Sequence, residues 1–295
     1  MQFSVARLHE IKGHSAAIYD VYSINDFIYT ASGDKTIVRW ILSNGKQDNF
    51  VVKTDAIPYA ITGIQQGKRI AFGLNNGFLH LIDVEERKEI KCFHQHRSAI
   101  HRLFENVQKN QFYSTDAEGN LAVWSTEKLD LLVFLPFACG KIRDVSLSPN
   151  GTKLALAGQD GYIRILDTEF YNLLEQFYAH DGGVTSLVWQ TDTILISGGK
   201  DAYISRWNIE SMAKLHAFPA HHFVIYHLII SEEYLISCSR DKTLKFWELD
   251  TFKPVFKLDT KSGGHFYSIN RLSLNANQLI SVSDDKHILV HNLHV

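Results

Sequence analysis

The chain is 295 residues long, 45% hydrophobic, 21% charged and 12% aromatic, a balance that excludes disordered and fibrous classes and leaves ample apolar surface to bury. Thirty Lys and Arg against 32 Asp and Glu give a net charge of −2, so the total charge favours neither nucleic acid nor an anionic membrane surface as a partner. Cys92, Cys139 and Cys238, 47 and 99 residues apart, fit neither a disulfide framework nor a CxxC motif and read as buried thiols in a reducing compartment.

No apolar run approaches the roughly 20 residues of a spanning helix, and Met1-Gln2-Phe3-Ser4-Val5-Ala6-Arg7 lacks the charged-then-apolar order of a signal peptide. A cytoplasmic protein without a membrane partner is expected. From the start of the chain, Val5 to Ile11 alternates as a strand and leads into Gly13-His14. Phe27-Ile28-Tyr29-Thr30-Ala31-Ser32 and Thr36-Ile37-Val38-Arg39-Trp40 then flank the turn Ser32-Gly33-Asp34-Lys35, with a hydrophobic period of two. Further turns follow at Asn75-Asn76-Gly77, Ala117-Glu118-Gly119, Ser148-Pro149-Asn150-Gly151 and Asp160-Gly161. The last of these longer turns contains the sequon Asn150-Gly151-Thr152, which reads as chance.

The pattern is internally repeated. Asp34, Asn76, Glu118, Asp160, Asp201, Asp241 and Asp285 superpose at spacings of 42, 42, 42, 41, 40 and 44 residues. Six residues after each stand Trp40, Ile82, Trp124, Leu166, Trp207, Trp247 and His291. Seven repeats of four short strands therefore fill the chain, and no window holds the spacing of an amphipathic helix. The final repeat runs out after Ile288-Leu289-Val290-His291-Asn292, a third strand. The N-terminal strand, residues 3–12, is expected to supply the fourth, closing the ring and removing its open edge.

A four-stranded unit of about 40–45 residues with Gly-His near its start and an aromatic ending its third strand resembles the WD40 repeat. The marks are Gly13-His14, Ala179-His180, Ala220-His221, Gly264-His265, Trp40-Ile41, Trp247-Glu248 and Asp241-Lys242-Thr243-Leu244-Lys245-Phe246-Trp247. The resemblance implies an all-β, seven-bladed β-propeller of four-stranded antiparallel blades, one domain over 1–295. Its repeats run over about 13–53, 54–95, 96–137, 138–179, 180–220, 221–263 and 264–295.

The resemblance also implies a buried network in which a histidine bonds a Ser/Thr and an Asp while the Ser/Thr receives an indole N–H. Carried over by position, it comprises His14, Thr30, Asp34 and Trp40 in blade 1, His180, Ser197, Asp201 and Trp207 in blade 5, and His221, Ser237, Asp241 and Trp247 in blade 6. Blade 3 offers His96, Ser114 and Trp124 with Glu118 for Asp, and blade 7 offers His265, Ser281 and Asp285 with His291 for Trp. Both are expected to be strained or rewired. Blade 2 (Phe72, Asn76, Ile82) and blade 4 (Leu156, Asp160, Leu166) are expected to hold by apolar packing and to escape pattern searches.

No GxSxG, P-loop, GxGxxG, HExxH or EF-hand pattern occurs, so no catalytic residue, metal or cofactor is expected. Five of the 15 histidines fill the structural column, and His94-x-His96, His221-His222 and His287 with His291 offer no convincing third ligand. The inner strands carry Val21, Ile61, Leu103, Val145, Leu187, Leu228 and Leu272, an apolar column expected to line the pore and to leave no acid, base or ligand there. An enzyme or small-ligand binder using the central channel is the alternative this column speaks against.

Function then falls to one face. In proteins of this resemblance partners dock on the narrow top face, which projects here onto Tyr19, Tyr59, His101, Arg143, Thr185, Tyr226 and Asn270, and onto Gly33, Asn75, Ala117, Gln159, Lys200, Arg240 and Asp284. Tyr19, Tyr59, His101, Arg143, Lys200, Tyr226 and Arg240 are the expected partner-binding residues. Tyr and Arg are enriched at binding hot spots, and Arg143, Lys200 and Arg240 on successive blades suit an acidic or phosphorylated segment. The expectation is a non-enzymatic scaffold for a protein or peptide, monomeric on its own, with no nucleic-acid partner.

Overall fold

The computed structural model describes residues 3–294; Met1, Gln2 and Val295, the outermost positions of the expected domain, lie outside the described residues. Seven four-stranded antiparallel sheets form the blades of a ring. Their innermost strands are Ile18–Ile24, Pro58–Ile64, Ile100–Asn106, Ile142–Leu147, Val184–Trp189, Ile225–Ser231 and Ile269–Asn275. Each meets the next around the circle, and Ile269–Asn275 returns to Ile18–Ile24.

Alternation along a strand sends successive side chains to opposite faces, and here both faces are covered. The core is accordingly split into seven wedges, one between each pair of neighbouring blades. Ile28 packs toward blade 7 with Ile280, Val282 and Val290, whereas Tyr29 packs toward blade 2 with Ile61, Ile70 and Phe72. Leu195 and Ile196 divide in the same way between blades 4 and 6. Burial on both faces explains why the second and third strands read as nearly continuous apolar runs.

The repeated turn has one conformation throughout. Lys35, Gly77, Gly119, Gly161, Ala202, Lys242 and Lys286 all have positive φ, between 63° and 89°. At Gly77 a Cβ would stand 2.3 Å from the carbonyl oxygen of His96, so only glycine fits there.

Ring closure is as the alternation predicts. Ser4–Lys12 pairs antiparallel with His287–His294, Ser4 opposite His294 and Lys12 opposite His287, in the sheet that also holds Gln278–Ser283 and Ile269–Asn275. Closure completes blade 7, yet every blade keeps an outer edge strand; in blade 4 Leu173–Tyr178 leaves Leu173 and Leu174 nearly half exposed. One cysteine departs from expectation: Cys139 and Cys238 are buried, but Cys92 sits on an outer strand and is exposed.

Candidate functional site at the channel mouth

The polar networks form where the repeat spacing places them. In blade 1, His14 Nε2 lies 2.7 Å from Thr30 Oγ1, His14 Nδ1 lies 2.8 Å from Asp34, and Trp40 donates to Thr30 Oγ1 at 2.9 Å. Blades 5 and 6 repeat this through His180, Ser197, Asp201 and Trp207 and through His221, Ser237, Asp241 and Trp247.

Blade 3 is a correction. Its network is complete and unstrained, because the acid is Asp116, 2.7 Å from His96 Nδ1, and not Glu118. Asp116 ends the second strand two residues ahead of the expected column and accepts from the backbone N–H of Glu118 and of Asn120 as well. In blade 7, His265 bonds Ser281 and Asp285 without an indole. His291, in the tryptophan position, is buried with Nδ1 unpartnered, and burial together with nearby His265 and Arg7 holds its pKa down to about 4.

All seven inner strands slip register at the same point. The pairing jumps from Ile18 to Asp20, Pro58 to Ala60, Ile100 to Arg102, Ile142 to Asp144, Val184 to Ser186, Ile225 to His227 and Ile269 to Arg271. The residues passed over are Tyr19, Tyr59, His101, Arg143, Thr185, Tyr226 and Asn270, the whole of the first expected ring. A bulge re-aims a side chain and bends its strand. Repeated seven times, it turns these side chains onto a single cavity of about 350 Å³, which Asp20, Lys141, Arg271 and Asp284 also line. Lys200 and Arg240 stand outside that lining.

The same slip overturns the expectation of a wholly apolar pore. Val21, Ile61, Leu103, Val145, Leu187, Leu228 and Leu272 all lie in the wedges between blades. From the column before them, Asp20, Arg102, Asp144, Ser186, His227 and Arg271 meet around the axis, while Ala60 packs in the wedge between blades 2 and 3. Arg271 of blade 7 reaches Asp144 of blade 4 at 3.3 Å, a contact possible only across the channel. Arg271 also lies 3.4 Å from Asp20, and Arg102 Nε lies 2.9 Å from Asp144.

Burial raises a carboxyl pKa, but two guanidiniums outweigh it at Asp144 and hold it at about 2. At Asp20, where Arg271 is the nearer of the two, burial prevails and the pKa is raised. Adjacent blades are stitched at this level. Asp20 accepts from Ile61 N–H at 2.9 Å, Asp144 from Leu187 at 3.0 Å, Ser186 from Leu228 at 2.9 Å and His227 Nδ1 from Leu272 at 3.3 Å. This layer floors the mouth, and Arg102, His227 and Arg271 also border a second cavity of about 250 Å³ beyond it, where Val21, Ile61 and Leu272 of the expected apolar column do line the channel.

The mouth is polarised. On the blade 1 to 3 side, Tyr19 and Tyr59 meet edge-to-face at 5.0 Å and Tyr59 stacks on His101 at 5.8 Å. On the blade 3 to 5 side, burial and then the charges of Arg143 and Lys141 drive His101 down to about 4, so it is neutral at pH 7. The same causes lower Lys200. Among the described residues, Lys141, Arg143, Lys200 and Arg240 have no carboxylate within 4.0 Å, the ion-pair distance, and the buried His101 Nε2 and Arg143 Nε lack hydrogen-bond partners. The acid Asp284 lies across the mouth, held at 2.8 Å by Asn270.

Fold and mouth together define a seven-bladed propeller with an open, cation-rich entrance. Two WD40 family models match parts of this propeller. The family model described as WD domain, G-beta repeat matches residues 6–40 and 212–248, which include the third-strand tryptophans of blades 1 and 6, and the Anaphase-promoting complex subunit 4 WD40 domain model matches 122–192. Neither reaches blade 2, as expected, but the second spans blade 4, which was expected to escape such a match.

Among curated proteins the chain is similar to telomerase protein component 1 of Rattus norvegicus, 34% identical over 37% of this chain and 4% of that protein. It is similar to the kinesin-like protein KIF21A of Homo sapiens, 23% identical over 98% of this chain and 19% of that protein. It is also similar to THO complex subunit 3 of Arabidopsis thaliana, 24% identical over 73% of this chain and 69% of that protein. The chain thus spans less than a fifth of the first two relatives.

Proposed function

We propose that this propeller is a non-enzymatic scaffold that captures a protein or peptide at the channel mouth through an acidic or phosphorylated segment. The observation that carries the reading is the convergence of seven bulged residues on one open cavity with uncompensated cations on one side. A carboxylate or phosphate entering there would meet Arg143 and Lys141 and give the buried His101 and Arg143 nitrogens the partners they lack. THO complex subunit 3 carries a complex in its name, which agrees with an interaction role.

The channel reading has one observation in its favour, the buried Asp20, Arg102, Asp144, His227 and Arg271. Those groups are spent on one another and on backbone N–H groups of neighbouring blades, so we assign them to holding the ring together. We further propose a monomer in the cytoplasm, on the free cysteines and the completed ring.

Affinity capture with the wild type and with a Tyr19→Ala, Arg143→Glu, Arg240→Glu variant tests the reading, after matched melts confirm folding. Selective loss of a partner by the variant supports mouth binding. Equal capture by both proteins overturns it.

A further inference from the structure

The top-face loops are not equivalent around the ring. Two residues before each inner strand stand Ala16, Ala56, Ser98, Gly140 and Gly182 in blades 1 to 5, but Phe223 and Tyr267 in blades 6 and 7. Phe223, Phe266 and Tyr267 are 56%, 57% and 59% exposed, although nothing in the propeller's packing calls for aromatic rings in solvent.

Their backbones are rigidly held. Ser239 Oγ donates to Phe223 O at 3.1 Å and Arg240 N–H to Val224 O at 3.0 Å. Phe266 N–H donates to Asp285 at 2.9 Å, and Asp284 N–H to Ser268 O at 3.0 Å. The shelf adjoins the mouth, since the same two blades supply Tyr226, Asn270 and Asp284 to the cavity lining.

Its charges are mixed. Arg240, Lys242 and Lys286 stand with Asp241, Asp284 and Asp285, and Asp241 and Asp285 are hydrogen-bonded to His221 and His265. The Lys242 ammonium stands 5.5 Å from the Tyr267 ring centre, placing a cation on the aromatic surface itself.

Resting on the mouth reading above, we infer that Phe223, Phe266 and Tyr267 form a second subsite that takes apolar side chains of the same bound peptide, beside the acidic residue it places in the mouth. The partner is therefore an acidic-apolar linear segment. The mouth selects its charge, and the shelf selects an aromatic or aliphatic residue a few positions away. Rings held by fixed backbones lose little freedom on binding, the property that makes aromatic anchors effective at interfaces.

The test is selection of a displayed random dodecapeptide library on the intact chain, with enriched peptides synthesised and titrated by fluorescence anisotropy. Three proteins are compared: the wild type, Phe223→Ser with Tyr267→Ser, and Arg143→Glu with Arg240→Glu. The expected winners carry Asp or Glu near an apolar residue, bind the serine variant at least tenfold more weakly, and fail to bind the charge-reversed variant. Winners that bind the serine variant within twofold overturn the shelf and leave the mouth reading standing. Winners without acidic residues that ignore charge reversal overturn the acidic partner, and a selection that enriches nothing overturns both readings. The substituted aromatics are exposed, so unchanged melts are expected to accompany each comparison.

Discussion

At the scale of single residues, geometry decides which carboxylate serves a network, and column spacing does not. Asp34 acts from the turn and Asp116 from the end of a strand, yet both reach the Nδ1 of their histidine within 2.8 Å. Burial pushes the Asp116 carboxyl up, but hydrogen bonds from His96 and Asn120 outweigh it and leave the pKa lowered. A lowered carboxyl pKa contributes stability that is present above the ordinary value of about 4 and lost as pH falls through the folded value. Asp116→Ala is expected to cost about 2–3 kcal/mol in urea unfolding at pH 7, and Asp116→Asn to flatten the acid limb of stability below about pH 4. Glu118→Ala is expected to change stability by less than about 0.5 kcal/mol; a larger loss than at Asp116 would return the acid to the turn.

At the scale of the strand, a one-residue bulge repeated seven times separates the ring lining from the wedge core. Period-two reading identifies the strands and the residues now found at the mouth, but it assigns the pore to the column one residue beyond, because a skipped residue reverses the phase. Ile18 and Val21 share one wedge despite an odd spacing, which is the slip seen from the core. The N-terminal strand is the other element with a clear consequence. It pairs with the last strand and brings Ile11, 3% exposed, into the wedge between blades 7 and 1. Removing residues 1–12 strips blade 7 to three strands and opens that wedge, so the melting temperature should fall sharply; an unchanged melt would refute the closure.

At the scale of the whole molecule, two layers of the channel have different work. The outer layer is open, aromatic and short of negative charge. The inner layer holds two carboxylates and two guanidiniums out of water and links blade 4 to blade 7 through Asp144 and Arg271. Breaking a buried pair by removing one partner strands the other charge and costs about 3–5 kcal/mol. Asp144→Ala should lose that much in denaturant unfolding, since Arg102 and Arg271 both remain. A loss below about 1 kcal/mol would mean that water replaces the carboxylate and that the layer does not hold the ring.

Local signals along the chain were enough for the all-β class, the seven repeats, the three complete networks, the closing strand and the seven residues around the mouth. Each depends on spacing between near neighbours or on a recurrence of about 40 residues, and both survive in one dimension. Asp116 as the acid of blade 3, the axial charges, the exposed Cys92 and the aromatic shelf were settled only by folding. The reason is that all four are relations between phase and distance in space. A bulge changes which face a residue occupies without changing its identity, and Arg271 and Asp144 become neighbours only when seven blades close a circle.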